Sequence, residues 1–188
     1  EFCRGRRGEA ASASSSCGRA RPPYTAAEQK FIDAVARVEP ELAYARLQTS
    51  KPQTLAHSLN DSPVGLAAWI VEKFRAWSDC NGDVESRFTK DEPITNLMMY
   101  WATGTAPASV RMYYDFVREP LKAGRVETPV GMLMSTKDLF PPAPREFGER
   151  LLNVQHWAET DRGGHFLEWE EPELVARDMQ TFFATLQR

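Results

Sequence analysis

Arg162-Gly163-Gly164-His165-Phe166, continued by Glu168-Trp169-Glu170-Glu171-Pro172, decides how the rest of the chain is read. A histidine on a two-glycine turn combines backbone freedom with the side chain that exchanges protons near neutral pH. Glu171-Pro172 then opens a helix, with Leu174, Met179, Phe182, Phe183 and Leu186 spaced as an inward face. A histidine acting as a base needs a carboxylate on its other ring nitrogen to fix the tautomer. Asp138 is one carboxylate to consider, in Met134-Ser135-Thr136-Lys137-Asp138-Leu139-Phe140, directly after an apolar run and 27 residues before His165. No nucleophile accompanies the two.

Upstream of the turn, Glu127 to Met134 reads as a short buried strand, Pro144 to Leu151 as a helix, and Asn153 to Trp157 as a second strand containing Val154. Strand, helix and strand in this order predict a parallel pair with a right-handed crossover. Two strands make a poor sheet by themselves, because parallel strands are normally covered on both faces. The expected class is therefore α/β: the end of a larger domain, preceded by a helical insertion.

That insertion opens with Thr25 and Glu28 spaced as a capping box ahead of Phe31, Ile32, Val35 and Val38, and Pro40 interrupts the run. Ser62-Pro63 starts a strong helix with Leu66, Ile70, Phe74 and Trp77 on one face, ended by Cys80-Asn81-Gly82-Asp83. Further helices are expected from Asp91 to Gly104, with Ile94, Leu97, Met98 and Trp101 on one side, and from Ser109 to Val117. The adjacent pairs Met98-Met99 and Phe182-Phe183 read as core packing.

The 188 residues carry a net charge of −3, with 42% hydrophobic and 26% charged residues, as in an ordinary soluble domain. That balance gives no reason to expect nucleic acid as a partner. No apolar run reaches the ~18 residues a membrane span requires, so no membrane segment is expected in the chain. The three cysteines, Cys3, Cys17 and Cys80, have no metal-ligand spacing and suit a reducing compartment, making a cytoplasmic location the expectation. Residues 1–21 are rich in Ser, Ala, Gly and Arg, with Phe2 the one large apolar side chain. They are expected to be a disordered tail, artefactual or frame-shifted.

Longer motifs carry a resemblance. Gln48-Thr49-Ser50-Lys51-Pro52-Gln53-Thr54-Leu55, Leu59 to Ile70, Glu72-Lys73-Phe74, Tyr100 to Thr105 and Arg162 to Phe166 together resemble the microsomal-type epoxide hydrolases of the α/β-hydrolase fold. The likeness runs from about Pro22 to Arg188. It implies a mostly helical lid over 22–125 and a C-terminal α/β-hydrolase segment over 126–188 carrying acid and base. In that family an aspartate opens the epoxide to an alkyl-enzyme ester, and a His–carboxylate pair activates water to hydrolyse it. Two lid tyrosines bind the epoxide oxygen.

By this resemblance His165 is the base, Asp138 its acid, and Tyr113 and Tyr44 the lid tyrosines; Tyr114 is the neighbouring alternative to Tyr113. His57 and His156 read as structural or solvent-facing. The implied partners are a small apolar epoxide and water, with no cofactor and no metal. The family's oxyanion-hole motif and nucleophile elbow should precede the lid, and these residues contain neither. The expectation is a fragment lacking the N-terminal half of its domain and inactive alone. A haloalkane dehalogenase-like relative would share His165 and Asp138, but halide stabilisation calls for donors other than paired tyrosines. A non-catalytic binding or interaction module built on the helical lid is the other alternative.

Overall fold

The computed structural model describes residues 23–119 and 124–186. The tail expected over 1–21 lies outside the described residues. Six helices come first: α1 (Ala26–Arg37), α2 (Ala43–Ser50), α3 (Pro52–Asp61), α4 (Pro63–Trp77), α5 (Asp91–Thr103) and α6 (Ala106–Arg118). Short 3₁₀ turns at Glu39–Leu42 and Val84–Ser86 join them. The chain then runs through β1 (Val126–Ser135), α7 (Arg145–Glu149), β2 (Leu152–Thr160), α8 (Leu167–Glu170) and α9 (Pro172–Leu186).

β1 and β2 pair in parallel, with Met132 opposite Trp157 and Ser135 opposite Thr160, and the register slips between Val130 and Gly131. The expected parallel pair and helical first half are therefore present. Both strands are longer than the apolar runs alone indicated, and α6 starts earlier than Ser109 because Pro107 fits its first turn.

Local chemistry sets the helix ends. Thr25 accepts from the Glu28 amide while the Glu28 carboxylate accepts from the Thr25 amide, completing the capping box. Ser62 caps α4 by accepting from the Gly65 amide at 3.0 Å, with Pro63 preset for the first turn. Gly104 ends α5 in the left-handed conformation at φ 63°.

The first core packs Ala56, Leu59, Leu66, Ala106 and Val110 between α3, α4 and α6, flanked by Leu97, Tyr100 and Trp101 of α5. An aromatic cluster continues it toward the strands. Phe74 stacks on Phe166 with ring centroids 4.3 Å apart, and meets Phe88 and Trp169 edge-on at 5.3 and 5.4 Å. This cluster joins α4 to the segment that carries His165.

Two expected apolar faces are not buried. Ile94, Met98 and Met99 of α5 are exposed, as are Met179, Phe183 and Leu186 of α9. In α5 only the side of the stripe carrying Leu97 and Trp101 meets the core. In α9 Phe182 turns inward against Gly131, while Phe183, one residue on, points outward and is 52% exposed. The Met98-Met99 pair and Phe183 are therefore not core residues within this chain.

One ion pair ties the chain's beginning to the entrance of β2. Glu28, 1% exposed, accepts from Arg150 Nη2 at 2.6 Å and from Arg150 Nε, and Arg150 Nη2 also donates to the Pro23 carbonyl at 2.9 Å. The guanidinium, aided by the Thr25 amide, holds the Glu28 carboxyl down to about 2. The depressed value means stability that is fully present above the ordinary carboxyl range and lost as pH falls toward about 2. In urea titrations between pH 5 and 2, Arg150→Met should flatten the loss of stability on acidification. A slope equal to the parent's would dissociate the pair from acid sensitivity.

Candidate active site

His165 sits on a loop pressed against the C-terminal end of α4. The His165 amide donates to the Trp77 carbonyl at 2.8 Å. The Glu170 carboxylate bridges the two segments, accepting from the Gly164 amide at 2.9 Å and from the Asp79 amide at 2.8 Å. Glu171 accepts from Arg87 at 3.2 Å and from Arg162, and Arg87 also pairs with Asp79 at 2.9 Å. The two glycines serve this fit differently. Gly163 has φ 74°, and a Cβ on Gly164 would lie 2.3 Å from the Trp77 carbonyl oxygen.

The loop delivers His165 Nδ1 to Asp138 Oδ1 at 2.9 Å. Asp138 is fixed in turn: its Oδ1 accepts from the Phe140 amide at 3.3 Å. The buried Ser135 at the end of β1 donates to the Gly163 carbonyl and accepts from the Lys137 amide at 3.0 Å, tying acid loop to base loop. Beside a carboxylate, Nδ1 carries the proton and Nε2 is left as the basic nitrogen. The bond to Asp138 raises the His165 pKa above its ordinary value against the opposing effect of burial, and Glu168 and Glu170 add to the rise.

Tyr44 on α2 and Tyr113 on α6 meet edge-on, with ring centroids 5.9 Å apart, and line one cavity of about 440 Å³. Burial, helped by the adjacent Tyr113 hydroxyl, pushes the Tyr44 phenol far above its usual pKa, so it stays a proton donor. Trp77 links the two pairs: its ring centroid is 5.4 Å from that of Tyr44 and 5.2 Å from that of His165. His165 and Asp138 line a second cavity of about 280 Å³ with Ser135, Gly164 and Glu168. The four residues singled out from the sequence are thus brought together as two pairs on either side of Trp77. Tyr114 instead lies under the Arg118 guanidinium at 3.4 Å.

Other contributors were not legible beforehand. Trp77 reads from the sequence only as a core position, and Lys73, whose Nζ lies 4.8 Å over the Tyr44 ring and 5.0 Å over Trp77, stands in the Glu72-Lys73-Phe74 motif with no role attached to it. Glu170 and Glu171 follow the glycine turn in sequence, and nothing local marks their bonds to Asp79 and Arg87. His57 is exposed, while His156 pairs with Asp178 at 2.7 Å and pins α9 to β2. Among the described residues no group of three or more His, Cys, Asp or Glu side chains could hold a metal, and no helix is long and apolar enough to cross a membrane.

In fold the chain superposes on hydrolases of the α/β class. The crystal structure of juvenile hormone epoxide hydrolase from the silkworm Bombyx mori matches with a TM-score of 0.76 at 30% identity, over 83% of this chain and 39% of that one. The structure of Aspergillus niger epoxide hydrolase matches with a TM-score of 0.70 at 26% identity, over 90% of this chain and 44% of that one.

In sequence, a protein of Stigmatella aurantiaca (strain DW4/3-1), provisionally named an epoxide hydrolase, is 41% identical over 145 residues, spanning 77% of this chain and 33% of that protein. Epoxide hydrolase 1 of Sus scrofa is 34% identical over 159 residues, spanning 79% and 35%. No protein-family model matches. The class is that of the α/β-hydrolases. Within it the chain belongs with the epoxide hydrolases, and it spans about a third of the length of the curated relatives it matches.

Proposed function

We propose that this chain supplies the water-activating base and the epoxide-oxygen donors of an epoxide hydrolase, acting on a small apolar epoxide with a carboxylate nucleophile contributed from outside these residues. The observation that carries the proposal is the coexistence of the His165–Asp138 pair at 2.9 Å with two tyrosines sharing a cavity across Trp77. Tyr44 and Tyr113 donate hydrogen bonds to the ring oxygen as a C–O bond breaks and negative charge develops there. The carboxylate that attacks carbon forms an ester, dividing the reaction into two easier steps. His165 Nε2 then takes a proton from water, the resulting hydroxide attacks the ester carbonyl, and Asp138 stabilises the imidazolium.

The paired tyrosines favour this reading over halide-releasing chemistry, which forms the same kind of ester but needs no donors for an alkoxide. The exposed apolar surfaces of α5 and α9 support a remainder of the domain that covers them.

Single-turnover hydrolysis in H₂¹⁸O tests the route, with the 188 residues joined to a segment bearing the nucleophile. The first diol should carry oxygen from the carboxylate, and the 188 residues alone should produce no diol. Tyr113→Phe should slow ester formation by roughly 10²-fold, as expected when one donor to a developing oxyanion is removed. Solvent oxygen in the first-turnover diol would exclude the ester mechanism.

A further inference from the structure

Gln48 has no place in the chemistry above, yet its position is unusual. It lies on α2 one helical turn after Tyr44, so both side chains leave the helix on the same face. It is 5% exposed and lines the same cavity as Tyr44 and Tyr113. Its amide makes no hydrogen bond to any described residue, whereas the neighbouring Ser50 and Thr49 hydroxyls donate to helix carbonyls. Nor is the amide sealed in. The side-chain polar atoms that are both occluded and unpaired among the described residues are Trp77 Nε1 and Ser78 Oγ, and neither belongs to Gln48. The small exposed remainder of a nearly buried residue therefore includes its amide, and the cavity that Gln48 lines is otherwise walled largely by Leu59, Leu66, Trp69, Ile70 and Phe74, with Lys73, Asn96 and Ser109 as further polar members.

A buried amide without a partner is costly unless something bound there completes its hydrogen bonds. Resting on the epoxide-hydrolase reading, we propose that Gln48 is a specificity-determining residue that selects epoxides bearing a second oxygen, an ether or carbonyl, close to the ring. Tyr44 and Gln48 stand roughly 5–6 Å apart at their Cβ atoms, as residues four apart on a helix do. That spacing matches an epoxide oxygen held by the phenol and a second oxygen, a few bonds away, held by the amide NH₂. The ligand class is then the glycidyl ethers and epoxy esters, with purely hydrocarbon epoxides disfavoured. A site built to hydrogen-bond an oxygen discriminates against an analogue lacking it far more sharply than a hydrophobic pocket discriminates one methylene.

The test compares phenyl glycidyl ether with its carbon isostere, (2-phenylethyl)oxirane, by quenching of tryptophan fluorescence in the 188-residue chain. Trp69, Trp77 and Trp169 line the cavity and report occupancy without turnover. The parent should bind the ether about tenfold more tightly than the isostere, and Gln48→Leu should bring the ratio close to one, chiefly by weakening the ether. Because the measure is a ratio within each protein, a general loss of folding cancels. Gln48→Met, closer in length, should give the same result. A ratio unchanged by both substitutions, or no binding of either compound to the parent, would overturn the assignment. A changed binding ratio alongside a failed ¹⁸O experiment would leave the selectivity standing and remove the hydrolytic reading.

Discussion

His165→Gln, in the 188 residues joined to a nucleophile-bearing segment, should lower steady-state turnover by about 10²–10⁴-fold while leaving ester formation intact. Intact-mass measurement should then show protein heavier by one epoxide, persisting after excess substrate is removed. The substitution takes away the nitrogen that accepts a proton from water and leaves the tyrosine donors in place. In the unaltered protein, the His165–Asp138 bond raises the histidine pKa, so releasing the free base takes a higher pH than for an isolated imidazole. De-esterification should therefore accelerate as pH rises through that elevated value.

The same shift makes a stability contribution of opposite sense. It is fully present below the unfolded pKa and fades as pH rises through the folded one. Turnover within threefold of the parent, or an acceleration on acidification, would remove His165 from the base role.

Gly164→Ala should be the most damaging added methyl among the described glycines. The added Cβ would fall 2.3 Å from the Trp77 carbonyl oxygen and 2.7 Å from the Asp79 amide nitrogen. Both are backbone atoms and cannot rotate aside. Relief requires separating the loop from α4, at the expense of the His165 amide bond to Trp77 and the Glu170 bridge. Overpacking of this kind commonly costs about 1–3 kcal/mol, and loss of the bridge should place the effect at the upper end or beyond. Urea denaturation measures it, and a change below about 0.5 kcal/mol would mean that the loop yields freely. Gly148→Ala is the control, since its nearest neighbour, at 3.4 Å, is a tryptophan side-chain atom.

Much of this architecture is written in local patterns. Thr25 with Glu28, and Ser62 with Pro63, announce helix starts because the capping bonds they make involve residues three apart. The parallel pair follows from two short apolar runs around a helix. The resemblance points to His165 and Asp138 at two punctuation points, a glycine turn and the end of a strand, and the fold brings their side chains within 2.9 Å.

The rest depends on contacts that no local pattern encodes. Glu170 reaches across the fold to Asp79, and Trp77 stands between Tyr44 and His165 only after α4 has docked. The misread residues share a physical origin. Hydrophobic spacing shows which side of a helix is apolar, but not whether a neighbour arrives to cover it. Met98 and Phe183 were expected inside for that reason and are exposed. Gln48 illustrates the reverse, a polar residue that spacing would assign to solvent and that the meeting of α2 and α6 encloses.

The Glu28–Arg150 clasp has a consequence for the order of events during synthesis. Its partners are 122 residues apart. At ribosomal rates of about 5–20 residues per second, α1 waits roughly 6–24 s for the arginine that will hold it. Helices α3 to α6 find their partners among near neighbours and can consolidate during that interval. Helix α1 is thus secured later than the helices that follow it in these residues, and until then its half-apolar face is open to chaperones.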